Sequence, residues 1–156
     1  MRAILCLGLI AASVPAGPSQ PEMRTYGSWH VVSISSTSGA GNDDASVILV
    51  QGDQPDVMQV SWDQGGPVWV SIDIDKCAGE EDFEASYSVP VQDWMRQSRR
   101  EVQIRLRADM AGWLRQARLK CGNAASVRAF RLTRLGEAAA DFHDRLRDYA
   151  GGATGR

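Results

Sequence analysis

Lysine is nearly missing from this chain: Lys76 and Lys120 are two of 17 basic residues, and the rest are arginines. That bias points to a GC-rich genome more than to chemistry. Histidine occurs twice, at His30 and His143, with no clustered spacing to the cysteines. A zinc site draws on about four nitrogen or sulfur ligands, so no metal is expected. No G-x-S-x-G elbow, phosphate-cradling G-x-x-x-x-G-K or H-E-x-x-H is present, which removes the hydrolase, nucleotide and zinc-protease signatures. The apolar run Ala3–Ala12 is the longest near the N-terminus, and it falls well short of the roughly 20 residues that span a bilayer. Repeats, low-complexity tracts and a second-domain linker are missing too, so 156 residues read as one domain.

What is there begins with an export signal. Arg2, the apolar run and Val14-Pro15-Ala16 predict a signal peptide over residues 1–16, cleaved after Ala16. Residues 17–23 read as a linker, 24–150 as a single β-rich domain and 151–156 as a loose tail. Cleavage removes Cys6 and leaves no transmembrane anchor. The remaining pair, Cys77 and Cys121, is expected to form a disulfide in an oxidising compartment, most simply a bacterial periplasm. The run "DIDKCAGEEDFE" supports this, because carboxylates around Cys77 disfavour the reactive thiolate.

Short apolar runs between turn residues predict an antiparallel β protein. "SWHVVSIS", "ASVILVQG", "VMQVSW", "PVWVSIDI" and "FEASYSVPV" read as strands, with Pro90 ending the last or placing it at an edge. In "PVWVSIDI", Val68, Val70, Ile72 and Ile74 share one face, and Trp69, Ser71, Asp73 and Asp75 share the other. In "QDWMRQSRR", Asp93 could cap a single helical turn anchored by Trp94. "EVQIRLR" alternates as a strand, with Val102, Ile104 and Leu106 inward and Arg105 and Arg107 outward. "DMAGWLRQARLKCG" fits a strand, or a helix capped by Asp109, striped by Met110, Trp113, Leu114, Ala117 and Cys121 and stopped by Gly122. "VRAFRLT" reads as a strand. Leu135, Ala138, Phe142, Leu146 and Tyr149 then draw the apolar stripe of a closing helix, on which Asp141 and Arg145 make an i,i+4 pair. The expected fold is mainly β, a sandwich-like domain with a C-terminal amphipathic helix. The alternative is α+β with an added helix near 110–120.

Charge is divided along the chain. Residues 17–92 hold 12 acids and 2 bases, whereas residues 93–156 hold 7 acids and 14 bases. Either the halves neutralise each other across the surface, or they leave a dipolar surface for a charged partner. Candidate binding residues are the acids Asp73, Asp75, Glu80, Glu81 and Asp82, the neighbouring Trp69, and the arginines Arg99, Arg100, Arg105 and Arg107. The acids could serve as a solvated loop, a calcium site or an acid/base pair, but their spacing matches no calcium loop. An acidic pI of about 5.7 and the lack of a recognition motif argue against nucleic acid.

"YGSWHVVSI" after a signal peptide, a cysteine after an alternating strand, a second cysteine further on and "FRLTRLGEAAADF" near the end resemble the invasion-associated locus B family. The resemblance implies a small exported bacterial protein, β-rich, without catalytic residues. The expected function is non-enzymatic binding of a protein partner in the cell envelope, with no cofactor. Alternatives are a periplasmic inhibitor of a hydrolase, using the acidic loop 73–84, and a small hydrolase using Asp73 or Asp75.

Overall fold

A computed structural model describes residues 21–37, 43–122 and 125–151. The expected signal peptide and cleavage site, most of the expected linker and the residues beyond Gly151 lie outside the described residues. Among the described residues the chain lays down six strands in succession: β1 Glu22–Tyr26, β2 Trp29–Thr37, β3 Asp43–Gln51, β4 Val57–Asp63, β5 Val68–Ala78 and β6 Glu81–Val89. Each pairs antiparallel with the next, so sheet order equals chain order. The five runs read as strands form β2 to β6, and Pro90 follows the last residue of the edge strand β6. The sequence pattern does not reveal β1, whose first two residues fall in the stretch read as linker. Gly52 serves the tight turn between β3 and β4: its φ is +95°, and a Cβ there would sit 2.4 Å from the Asp56 carbonyl oxygen.

Period-two alternation sorts the sheet into two faces. Trp29, Val31, Val47, Leu49, Met58, Val60, Trp62, Val68, Val70, Ile72 and Ile74 are buried on one. Four helices follow: α1 Val91–Arg96, α2 Arg99–Cys121, α3 Ala125–Ala129 and α4 Leu135–Leu146, the last continuing as a π-turn through Gly151. Helix α2 packs on β5 and β6, α4 on β1 to β3, and the two helices pack on each other.

The sandwich expectation is therefore corrected. Among the described residues there is one sheet, and helices stand where a second sheet would. The α+β alternative holds, with its helix beginning at Arg99. "EVQIRLR" and "DMAGWLRQARLKCG" are one continuous helix. Ser98 Oγ accepts the Glu101 N–H at 3.1 Å and Glu101 accepts the Ser98 N–H at 2.9 Å, a capping box. Val102, Leu106, Met110, Leu114 and Ala117 then bury a helical stripe, while Ile104 is 58% exposed instead of facing inward. Gly122 ends the helix as expected, but Asp109 lies mid-helix and Asp93 sits in the first turn of α1 without capping it. "VRAFRLT" is likewise no strand: it holds the end of α3 and a loop, with Val127 and Phe130 buried.

The closing helix fits its sequence. Leu135, Ala138, Phe142 and Leu146 are fully buried, and each large side chain so removed from water contributes about 1.5–3 kcal/mol. His143 is also fully buried. Its Nε2 lies 2.8 Å from the Gln97 carbonyl and 3.2 Å from that of Trp94, two acceptors that place the ring proton on this nitrogen. The histidine thus fastens α4 to the link between α1 and α2.

A tyrosine joins β6 to α2. The Tyr87 hydroxyl donates to Asp109, and its ring meets Trp113 at 5.8 Å. Burial first, then the bond to Asp109, holds this phenol well above the ordinary tyrosine range. An unfolded tyrosine ionises near pH 10, whereas folded Tyr87 stays protonated. Its contribution to stability is therefore present below about pH 10 and lost as pH rises beyond it. Spectrophotometric titration should show Tyr87 ionising together with alkaline unfolding, and Tyr87→Phe should shrink that late step, leaving the share of Tyr26, whose phenol is also raised by burial and by Asp141.

Candidate functional site: the anchored acidic hairpin

The β5–β6 hairpin carries the candidate acids, and a break in its alternation explains Cys77. Strict alternation would put Cys77 on the same face as Asp73 and Asp75. The β5–β6 register instead shifts between Ile74 and Ala78, and Lys76 adopts a left-handed conformation with φ 52°. Between the Ile74–Phe83 and Ala78–Glu81 pairs, Asp75, Lys76 and Cys77 stand opposite Asp82 alone, two residues more than β6 supplies, and the left-handed backbone at Lys76 breaks the alternation. Cys77 accordingly turns toward the helices, is 6% exposed, and is bonded to Cys121 at the end of α2. Beside the disulfide, the Lys120 ammonium donates to the Asp82 carbonyl at 3.2 Å and lies 3.8 Å from Glu81.

The hairpin extends past its neighbour, because β4 pairs with β5 only as far as Asp73. Asp75, Lys76, Ala78, Gly79, Glu80, Glu81 and Asp82 are all exposed. Two carboxylates, one from the hairpin and one from the β3–β4 connection, brace the bend. Asp56 accepts the Asp75 N–H at 2.7 Å, and Asp82 accepts the Lys76 N–H at 3.0 Å. The Lys76 amide, then a bond with Asp75, holds Asp82 below the usual carboxylate range. The same contact with Asp82 raises Asp75 above it. Asp73, Asp75 and Asp82 line a cavity of about 180 Å³ together with Gln54 and Pro55. Among the described residues, no group of three or more His, Cys, Asp or Glu is arranged to hold a metal ion. His30 and His143 lie elsewhere, on β2 and α4.

Trp69 stands on the sheet face opposite the helices and is 48% exposed, so no helix buries it. Its cross-strand neighbours are Ser61 and Ser88, and Asp73 follows along its own strand. Asp73 therefore shares its sheet face with Trp69, whereas Glu81 lies toward Lys120 of α2.

The four candidate arginines do not form a strand face; they are spread around α2. Arg99 makes a paired contact with Asp144 of α4 and belongs to the structure. The Arg105 guanidinium lies 5.9 Å from the centre of the Tyr87 ring. Arg100 and Arg107 are exposed and form no ion pair among the described residues. Sequence reasoning passed over Arg115 and Arg118, which helical spacing brings alongside them. It found the Asp141–Arg145 pair, at 3.0 Å, but not its setting. Arg145 is 7% exposed and donates also to Ser33 of β2, while Asp141 accepts the Tyr26 hydroxyl at 2.8 Å.

The charge split along the chain becomes a split between layers. The acidic half builds the sheet and its hairpin, and the basic half builds the helices. Ion pairs that cross between layers are few among the described residues: Lys120 with Glu81, Arg145 with Glu22, and Arg24 with Asp141. No family model, curated protein or solved structure matches the chain.

Proposed function

We propose that the chain is an exported, non-enzymatic binding protein of the bacterial cell envelope, and that its working surface is the acidic hairpin between Asp73 and Glu84. The observation that carries this reading is the anchoring of the hairpin tip by the Cys77–Cys121 bond and by Lys120. An exposed acidic segment held in one conformation loses little freedom when a partner seats on it. Its carboxylates speed encounter with a basic surface. Trp69, half-exposed on the sheet face that carries Asp73, supplies an aromatic anchor of the kind favoured at interfaces. Export, the periplasmic location and the likeness to the invasion-associated locus B family belong to this reading. The same anchoring favours a narrower second reading, in which the hairpin inserts into the basic cleft of a hydrolase and inhibits it.

The test is capture of partners from an envelope fraction by the wild-type protein and by the Glu80→Gln, Glu81→Gln, Asp82→Asn variant. Asparagine keeps an oxygen for the Lys76 amide, so the bend survives. Loss of the captured partner is expected, and an unchanged partner set would remove the hairpin from consideration.

A further inference from the structure

Among the described residues no layer covers the outward side of α2, although Ile104 and Arg107 line an open groove with Arg134, Gly136 and Glu137. Ile104, Ala108, Ala111, Arg115 and Leu119 recur at helical spacing and trace one outward stripe, opposite the buried stripe of Val102, Leu106, Met110 and Leu114. Ile104 is 58% exposed and Leu119 is 88% exposed. Arg100, Arg107 and Arg118 are separated by close to whole numbers of helical turns, so they line one flank of that stripe. All four arginines are exposed and form no ion pair among the described residues.

We propose that this face of α2 seats on an anionic phospholipid surface. Charge complementarity supplies the attraction: unpaired guanidiniums meet lipid phosphates, each arginine strengthening attachment by roughly fivefold. The aliphatic stripe selects a bilayer over a soluble polyanion. A polyanion would leave Ile104 and Leu119 in water, whereas the headgroup boundary takes up aliphatic side chains beside cationic ones. The helix, 23 residues long, offers about 35 Å of contact lying flat. Its main apolar stripe is spent on the protein core, so attachment is peripheral and sensitive to salt. The acidic sheet side faces away, since the surface that attracts the arginines repels Asp73, Glu84 and the hairpin. The proposal rests on the envelope association proposed above and gives it a mechanism, while using residues the hairpin does not.

The experiment is co-sedimentation of the oxidised protein with vesicles of phosphatidylcholine, with and without phosphatidylglycerol. Binding is expected only where phosphatidylglycerol is present, weakening at least about tenfold between low and high salt. The Arg100→Gln, Arg107→Gln, Arg115→Gln, Arg118→Gln variant should bind at least about a hundredfold more weakly. Ile104→Ser with Leu119→Ser should lower affinity several-fold with every charge kept. Thermal melting confirms that each variant is folded, and all substituted positions are exposed. Absent binding, equal binding to both vesicle types, or indifference to the arginine variant would overturn the proposal. So would an aliphatic variant that binds as well as wild type, since the face would then be a site for a soluble polyanion or for the acidic side of a second copy. Failure here leaves the hairpin reading standing, because partner capture is read through Glu80, Glu81 and Asp82, which take no part in the vesicle contact.

Discussion

Replacing Cys77 and Cys121 together by serine is expected to lower the melting temperature by roughly 10–20 °C. The two residues are 44 apart in sequence, and constraining a loop of that length in the unfolded chain stabilises the fold by about 4 kcal/mol. The bond joins the last turn of α2 to the outer end of β5, so it also ties the two layers at a point where few other contacts do so. Differential scanning calorimetry of the oxidised protein and the double variant checks the value. A shift of less than about 3 °C would mean that the hairpin tip is held by its carboxylate and Lys120 contacts instead. The same comparison bears on function: without the bond the tip loses its fixed conformation, and affinity for a partner that reads the hairpin should fall with it.

The second large effect lies at the other end of the sheet. Arg145→Met is expected to cost about 3–5 kcal/mol, because it leaves the Asp141 carboxylate buried without its closest cation. Asp141 is 9% exposed and Arg145 is 7% exposed. Arg24, 3.9 Å from Asp141, lies too far to replace the bond at 3.0 Å. Replacing both partners, as Asp141→Leu with Arg145→Met, should cost less than the arginine change alone, since no uncompensated charge remains. Urea unfolding of the two single variants and the double variant measures the coupling. Additive losses would show that the pair acts as two independent residues.

How much of this could be read in advance depends on whether a pattern was local. The alternation of β5 from Val68 to Ile74 was legible because strand period and burial agree there. The stripe of α4 from Leu135 to Leu146 was legible for the corresponding helical reason. The region from Arg99 to Leu106 misled because Val102, Ile104 and Leu106 satisfy period two, while Val102 and Leu106 alone satisfy the helix. The capping box of Ser98 and Glu101 was the signal that would have decided it. The facing of Cys77 was not legible, since the bulge at Lys76 is set by pairing with β6 and not by residues next to the cysteine. The pairing of Cys77 with Cys121 was legible all the same, from the count of cysteines and the expected export. Burial of Asp141 and Arg145 depends on α4 meeting β1 and β2, contacts more than a hundred residues apart. The acids of the hairpin stand close together in the sequence and could be grouped from it, but the bracing of the turn by Asp82 and by Asp56 of the preceding loop required the fold.

The most direct measurement of the central claim, that opposite charges lie on opposite layers, is chromatography of one protein on two resins. Over residues 17–156 the chain has 19 acids and 16 bases, so a uniform charge distribution would bind an anion exchanger at neutral pH and pass through a cation exchanger. Segregated faces predict retention on both at low salt. They also predict that removing Arg100, Arg107, Arg115 and Arg118 abolishes retention on the cation exchanger alone. Passage of the folded wild-type protein straight through the cation exchanger would contradict the account.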